Sequence, residues 1–381
     1  MAYFDYASTT PVDLEVMDSL QKLQKDFFCN PDSHHGCGNE AQLILQQATK
    51  QIATIFAVRA DEIFYTSGAT EANNLALFGL AHAYENRGNH IITSKIEHAS
   101  VLEPLKQLEK EGFEVTYLEA SPTGVVTVEA ILAAMRPETI LVSLIHINNE
   151  VGLIQPIEKI GKALKTSYPR VFFHVDMAQS VGKIPIDLEY IDCATISGHK
   201  VYAPKGIGLL IKRKKIRIQP LFFGGQQQQK IRPGTLDMPL IVAFSKAIRL
   251  ATERLKDIEQ TTKITAMHTR LKHFFTENGN LELLPETYIC TPYILYITVK
   301  KQTTEVETYL HALSHEKIYL STRSTCHSKQ IKMANPIVMA LGLSAAQSRR
   351  GLRVSISHLT TDAEIEQLEQ AFEKIIEKIV E

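Results

Sequence analysis

Ile140-Leu-Val-Ser-Leu-Ile-His-Ile147 is a continuously apolar run; a helix-like segment, Ile157–Ser167, follows it, and then a second such run, Val171-Phe-Phe-His-Val-Asp176. Strands that lack polar alternation are buried on both faces, as they are in parallel sheets covered by helices. The order strand, helix, strand extends outward in both directions. Upstream lie strand-like runs at Glu62–Thr66, His90–Lys95 and Val115–Glu119, with helical patterns at Ala72–Glu85 and Ser100–Glu111. Downstream the runs are Ala194–Ser197 and Gly206–Lys212. Before them, Glu40–Phe56 carries Leu43, Leu45, Ala48, Ile52 and Ile55 in an amphipathic helical pattern. After about residue 240 the texture changes to one long helix over Ile241–Asn278, a strand (Tyr293–Val299), a helix (Thr304–His315) and a short strand (Ile318–Ser321). The last helix, Asp362–Val380, aligns Ile365, Leu368, Phe372, Ile375, Ile376 and Ile379. The expectation is a large α/β unit with a mostly parallel sheet sandwiched by helices, joined to a smaller α+β unit.

The composition agrees with a folded chain of two or three domains, since 381 residues are available at about 150 per domain. A hydrophobic share of 44% and a charged share of 22% exclude disordered and fibrous classes. Lys plus Arg number 41 and Asp plus Glu 42, a net charge of -1. No concentrated positive field for nucleic acid or a membrane surface is expected from that balance. Five cysteines are sparse and odd in number, which argues against a disulfide scaffold and for a reducing compartment. The start, Met1-Ala-Tyr-Phe-Asp-Tyr-Ala7, has neither a basic leader nor a long apolar run. The longest apolar stretches fall far short of the roughly 20 residues of a membrane span. A cytoplasmic protein is the expectation.

Three motifs follow apolar runs. Thr66-Ser-Gly-Ala-Thr-Glu71 opens a helix, where free backbone N–H groups form an anion site and Thr70 adds a hydroxyl. Standing alone, it would read as an ordinary strand-to-helix turn with a threonine cap. Phe173-His-Val-Asp-Met-Ala-Gln179 puts Asp176 at a strand's carboxyl end, where open α/β sheets bind ligands and where a buried acid needs a cationic partner. Ser197-Gly-His-Lys200 ends another strand, and a lysine there is a candidate Schiff-base nucleophile, although most lysines are surface charges. Together they form a phosphate anchor, a pyridinium partner and an imine lysine, the constellation of a pyridoxal phosphate enzyme. The chain has no G-x-G-x-x-G or G-x-x-x-x-G-K-[ST]. Cys29, His34, His35 and Cys37 fit no usual zinc spacing, so no metal is expected. Cys193 reads as core, and neither Cys290 nor the run Gln226–Gln229 has an evident role.

The chain resembles the cysteine desulfurases, fold-type I pyridoxal phosphate enzymes of the aminotransferase class V group, over essentially its whole length. The resemblance begins at Tyr3-Phe-Asp-Tyr-Ala-Ser-Thr-Thr-Pro11 and Asn30-Pro-Asp-Ser33. It continues through Thr66–Glu71, Glu97-His98, Asn148-Asn-Glu-Val-Gly152, His174–Gln179 and Ser197–Lys200, and ends with Arg232-Pro-Gly-Thr235, Cys326 and Arg353. It implies a large cofactor domain over residues 14–250 and a small domain from residues 1–13 and 251–381. Lys200 would form the internal aldimine and move the Cα proton, Asp176 would pair with the pyridinium nitrogen, and Gln179 would hydrogen-bond the ring's phenolic oxygen. His98 would stack on the ring and help in proton transfers. Thr70, Ser197 and His199 would hold the phosphate, with Thr235 donated by the partner of a homodimer, and Ala69 and Asn149 would also contact the cofactor. Asn149 and Arg353 would bind the carboxylate of L-cysteine, Arg353 through a bidentate fork. Cys326, in the polar stretch Ser321-Thr-Arg-Ser-Thr-Cys-His-Ser328, would be the travelling thiolate, favoured by His327, Arg323 and Lys329. The implied products are L-alanine and an enzyme persulfide for a protein sulfur acceptor, an iron–sulfur scaffold or a thiolation protein among the candidates.

Several positions depart from the family's pattern. Arg323 and Thr325 stand where glycine and alanine are usual, and His358 stands where a second arginine is usual. The same pyridoxal phosphate residues would serve a selenocysteine lyase, an aminotransferase or a racemase. A non-catalytic binding paralogue is the alternative of another class, and intact Lys200, His98, Asp176 and Cys326 argue against it.

Overall fold

The structure, a computed structural model, describes residues 1–284, 288–300, 306–322 and 335–380. After β1 (Ala2–Tyr3), two helices, α1 (Leu14–Asp26) and α2 (Gly36–Ile55), precede the main alternation. That alternation runs β2 (Ile63–Thr66), α3 (Ala69–Ala83), β3 (His90–Ser94), α4 (Ala99–Lys110), β4 (Glu114–Leu118), α5 (Val128–Ala133), β5 (Thr139–Ile145), α6 (Ile157–Ser167), β6 (Phe172–Asp176), β7 (Cys193–Ser197) and β8 (Gly208–Lys212). Each of the seven strand-like runs becomes one strand of a single seven-stranded sheet, ordered β2-β8-β7-β6-β5-β3-β4. Only β8 runs against its neighbours, pairing antiparallel with β2 and with β7, while the other pairings are parallel. Six strands therefore end at one edge, and the loops after β2, β3, β5, β6 and β7 converge there. All seven residues of β5 are buried, as the unbroken apolar run predicts for a central strand covered on both sides.

The expected helix over Ile241–Asn278 is in fact two, α7 (Met238–Lys256) and α8 (Ile258–Glu277). Asp257 makes the break. Its extended backbone closes α7, and its carboxylate accepts from Glu259 N at 3.0 Å and Gln260 N at 3.3 Å to cap α8. Hydrophobic periodicity continues across such a joint, so it hides the stop.

A second layer holds a three-stranded antiparallel sheet, ordered β12-β10-β9, made of β9 (Leu281–Leu283), β10 (Ile294–Val299) and β12 (Gly351–Ser355). Around it lie α9 (Val306–His315), β11 (Ile318–Tyr319), α10 (Pro336–Ala340), α11 (Ala345–Arg349) and α12 (Asp362–Val380). One hydrophobic cluster joins Ala2 and Phe4 to α8, β10, β12 and the Ile365, Leu368 and Phe372 face of α12. The largest cluster instead gathers the sheet with α1, α2 and α7. The N-terminal segment crosses between them: β1 pairs with β11, and Asp5 bridges to Ser355.

The cysteine count misleads at one place, because Cys29 and Cys37 form a disulfide, with Cα atoms 5.9 Å apart. The chain between α1 and α2 folds back on itself there, with His35 capping α2 through Gly38 N at 3.2 Å. Proximity made by a turn is invisible to a count. Cys193 is buried and free.

Candidate active site

The loop after β2 reaches α3 through Gly68, which brings no side chain to cap the helix. The first-turn N–H groups of α3 stay open to an anion, and Thr70 stands among them. Gly208 of β8 lies directly against this turn; a Cβ there would come within 2.7 Å of Gly68. Ser67 N donates to Glu71 at 2.8 Å, and Glu71 in turn receives Arg232 Nε at 2.8 Å.

At the end of β6, Asp176 is only 3% exposed and accepts from Asn73 Nδ2 at 2.8 Å and from Ala178 N at 2.9 Å. Asn73 also donates to Ser100 Oγ at 2.8 Å, and that hydroxyl lies 2.8 Å from His98 Nδ1. Nδ1 additionally accepts from Ser100 N at 3.1 Å, making His98 the cap of α4. A continuous line of polar contacts thus joins Asp176 to His98. Lys200 follows β7, and its Nζ donates to Ala7 O at 2.6 Å and to Ser8 O at 2.5 Å. Beside it His199 contacts Thr9 at 3.1 Å; burial first, then Lys200 and Lys205, lower its pKa to about 4, so it is neutral near pH 7. Arg353, at 1% exposure, donates through Nη1 to Asn149 O and through Nη2 to Asp5 Oδ1, each at 2.7 Å.

His98, Ser100, Asp176, His199, Lys200 and Arg353 line one cavity of about 290 Å³. Of the residues expected from the sequence, Ala69, Thr70, His98, Asn149, Asp176, Gln179, Ser197, His199, Lys200 and Arg353 all border it. Thr235 does not; it is exposed on the loop that precedes α7. Cys326, with Arg323, Thr325, His327 and Lys329, lies outside the described residues. A larger open groove of about 870 Å³ runs along α8 beside Glu369, but its charged groups are already paired, Arg270 with Glu369 and His273 with Glu277.

Sequence reading missed Asn73, Ser100, Ala7, Ser8 and Asp5. Asn73 stands 103 residues from the carboxylate it contacts. Asp5, Ala7 and Ser8 lie in the stretch Tyr3–Pro11 where the resemblance begins, but Ala7 and Ser8 act through backbone oxygen, so their side chains announce no role. His358, at the position usually held by arginine, packs edge-on against Tyr202 with ring centroids 4.5 Å apart.

The sequence profile of the aminotransferase class-V family matches residues 2–368. The chain belongs to that family. Among curated proteins it is 39% identical to a protein named cysteine desulfurase IscS from Glaesserella parasuis, covering 100% of this chain and 93% of the relative. A second protein of that name, from Dictyoglomus turgidum, is 36% identical over 99% of this chain and 95% of its own length. Among solved structures, a NifS-like protein superposes with a TM-score of 0.92 at 32% identity, covering 99% and 100% of the two chains. One titled SspA in complex with cysteine gives 0.82 at 33% identity, covering 95% of this chain and 100% of that one.

The cavity fits the cofactor that this membership implies. Asn149 Oδ1 and Arg353 Nε are buried without a hydrogen-bond partner among the described residues, and the first turn of α3 carries no side-chain cap. Such groups await a polar ligand. Among the described residues, no helix is long and apolar enough to cross a membrane.

Proposed function

We propose that the chain is a pyridoxal-phosphate-dependent cysteine desulfurase that converts L-cysteine to L-alanine and leaves the sulfur as a persulfide on Cys326. The observation carrying this reading is the convergence of Lys200, Asp176 and Arg353 on one cavity at the carboxyl ends of the strands. The α3 first turn, with Ala69, Thr70, Ser197 and His199, would hold the phosphate; Asp176 the ring nitrogen; Gln179 the ring oxygen; and His98 the ring face. Bound there, the cofactor supplies an electron sink for the pair left at the substrate Cα.

Arg353 binds the substrate carboxylate through Nε, the donor that lacks a partner among the described residues, and Asn149 through its amide N–H, which fixes Cα toward Lys200. Lys200 Nζ takes the Cα proton, and the carbonyls of Ala7 and Ser8 keep the amine beside the substrate. The Cys326 thiolate attacks the substrate Sγ: an S–S bond forms, the C–S bond breaks, and protonation of the remaining carbon skeleton completes alanine. The outer sulfur passes to a thiol of an acceptor protein. The exposure of Thr235, together with that of Phe222 (52%) and Phe223 (89%) nearby, supports a homodimer in which Thr235 completes the partner's phosphate site. The cytoplasm is the proposed compartment.

The test measures alanine from L-cysteine in the presence of a reductant. Cys326→Ala should retain bound cofactor and lose activity by more than about a hundredfold, the scale expected when a nucleophile is removed. Full activity of that variant would overturn the nucleophile assignment.

A further inference from the structure

Gln179 is 3% exposed and borders the site cavity, and its side chain is gripped at both ends. Its Nε2 donates to Ala7 O at 2.8 Å, and its Oε1 accepts from Lys183 Nζ at 3.2 Å. The two ends of an amide are nearly the same shape, so only the neighbours decide which way it points. Here both neighbours decide alike. A backbone carbonyl can only accept and an ammonium can only donate, so the reversed amide would meet oxygen with oxygen and nitrogen with nitrogen. Lys183 does not border the site; it faces a separate small cavity behind Lys200. It therefore acts on the site through Gln179.

We infer that Lys183 is a positioning residue, which locks the Gln179 amide so that an N–H and not a C=O faces the cofactor's ring oxygen. This rests on the reading above, in which Gln179 is that oxygen's partner. Ala7 O takes one proton of Nε2, and the second is left for the ring. The charged groups around Lys183 do not replace it. Arg254 is engaged by Asp13, Lys200 is held by the Ala7 and Ser8 carbonyls, and His358, lowered to about 4 by burial, is neutral near pH 7. The remaining titratable neighbours, Tyr6, Tyr202 and Tyr293, have hydroxyls raised by burial and stay uncharged. Burial also lowers the Lys183 ammonium to about 8, so the lock loosens in alkali, where the neutral amine can accept a hydrogen bond as well as donate one.

A donor at the ring oxygen, with a cation behind it, favours the less positively charged state of the bound chromophore. The pH at which the visible band of the cofactor-loaded protein is lost is therefore held low. Lys183→Met should raise that midpoint by about one unit, in the range a nearby charge commonly produces. Lys183→Arg should stay close to the parent, and Gln179→Ala should also raise the midpoint. Adding Lys183→Met to Gln179→Ala should then shift it little further. Cofactor content and melting temperature, measured alongside, separate this effect from loss of fold. An unchanged midpoint in Lys183→Met while Gln179→Ala moves would overturn the inference, as would fully additive shifts, since a charge acting alone needs no amide. If neither single variant moved the midpoint, the placement of Gln179 at the ring oxygen would itself fall.

Discussion

Glu97, next to His98, is fully buried, and burial, opposed by hydrogen bonds from Ser94 and the Ile145 backbone, raises its carboxyl from 4.5 to about 8. The native state keeps a proton that the unfolded chain sheds above pH 4.5, so stability falls as pH rises through the window between those values. Glu97→Gln carries no titrating proton. Its melting temperature relative to the parent should be level below pH 4.5 and climb steadily up to about 8; a difference independent of pH would show that the carboxyl is ionised in the native protein. The same residue scale marks how far sequence reading reaches. Lys200 and Asp176 were legible because each stands at the carboxyl end of a strand and each carries a charge that is costly to bury idle. Asn73 and Ser100 were not, since a helical asparagine and a capping-turn serine look ordinary until folding brings them beside Asp176 and His98.

At the scale of elements, the turn between α1 and α2 and the Gln226–Gln229 loop explain each other. Gln227 Nε2 donates to Asp32, inside the disulfide-bracketed turn, at 3.0 Å, and Gln228 spans Tyr65 on the edge strand β2, accepting from its N–H at 2.5 Å and donating to its carbonyl at 3.0 Å. Gln228, Gln229 and Lys230 all have positive φ (47°, 57° and 62°), a conformation unfavourable for residues with a Cβ. These side-chain bonds hold it in place, and the loop leads into Arg232, which grips Glu71 beside the phosphate turn. No periodicity announces such a loop, whereas the buried strands announce themselves, which is why the sheet was readable and this fastening was not. The disulfide closes a short loop, since its cysteines are 8 residues apart; constraint of the unfolded chain on that scale is worth about 2 kcal/mol. Cys29→Ser combined with Cys37→Ser should lower unfolding free energy by about that amount in denaturant titrations. Dithiothreitol should destabilise the parent equally and leave the double variant unmoved. A parent indifferent to reductant would mean that the pair does not stay joined in solution.

For the molecule as a whole, the segment Phe4–Ser8 ties the two hydrophobic clusters to one site. Phe4 O accepts from Ser355 N at 2.8 Å on one side, while Ala7 O receives Gln179 and Lys200 on the other. Asp5 lies between them and supplies the carboxylate for Arg353, whose guanidinium is almost wholly buried. A buried cation stripped of its partner is strongly destabilising, while replacing both members of such a pair costs far less. Asp5 is itself 20% exposed, so solvent softens the loss, and Asp5→Ala should cost about 2 kcal/mol, below the penalty for a fully enclosed pair. Arg353→Met should abolish turnover of L-cysteine, yet the double variant should be more stable than the two single losses added together predict. The measurement is a double-mutant cycle in urea, with a coupling of about 1 kcal/mol or more expected for groups in direct contact. A coupling near zero would mean that Asp5 and Arg353 are neighbours without being partners, and the N-terminal segment would then join the two layers through its backbone hydrogen bonds and the packing of Phe4.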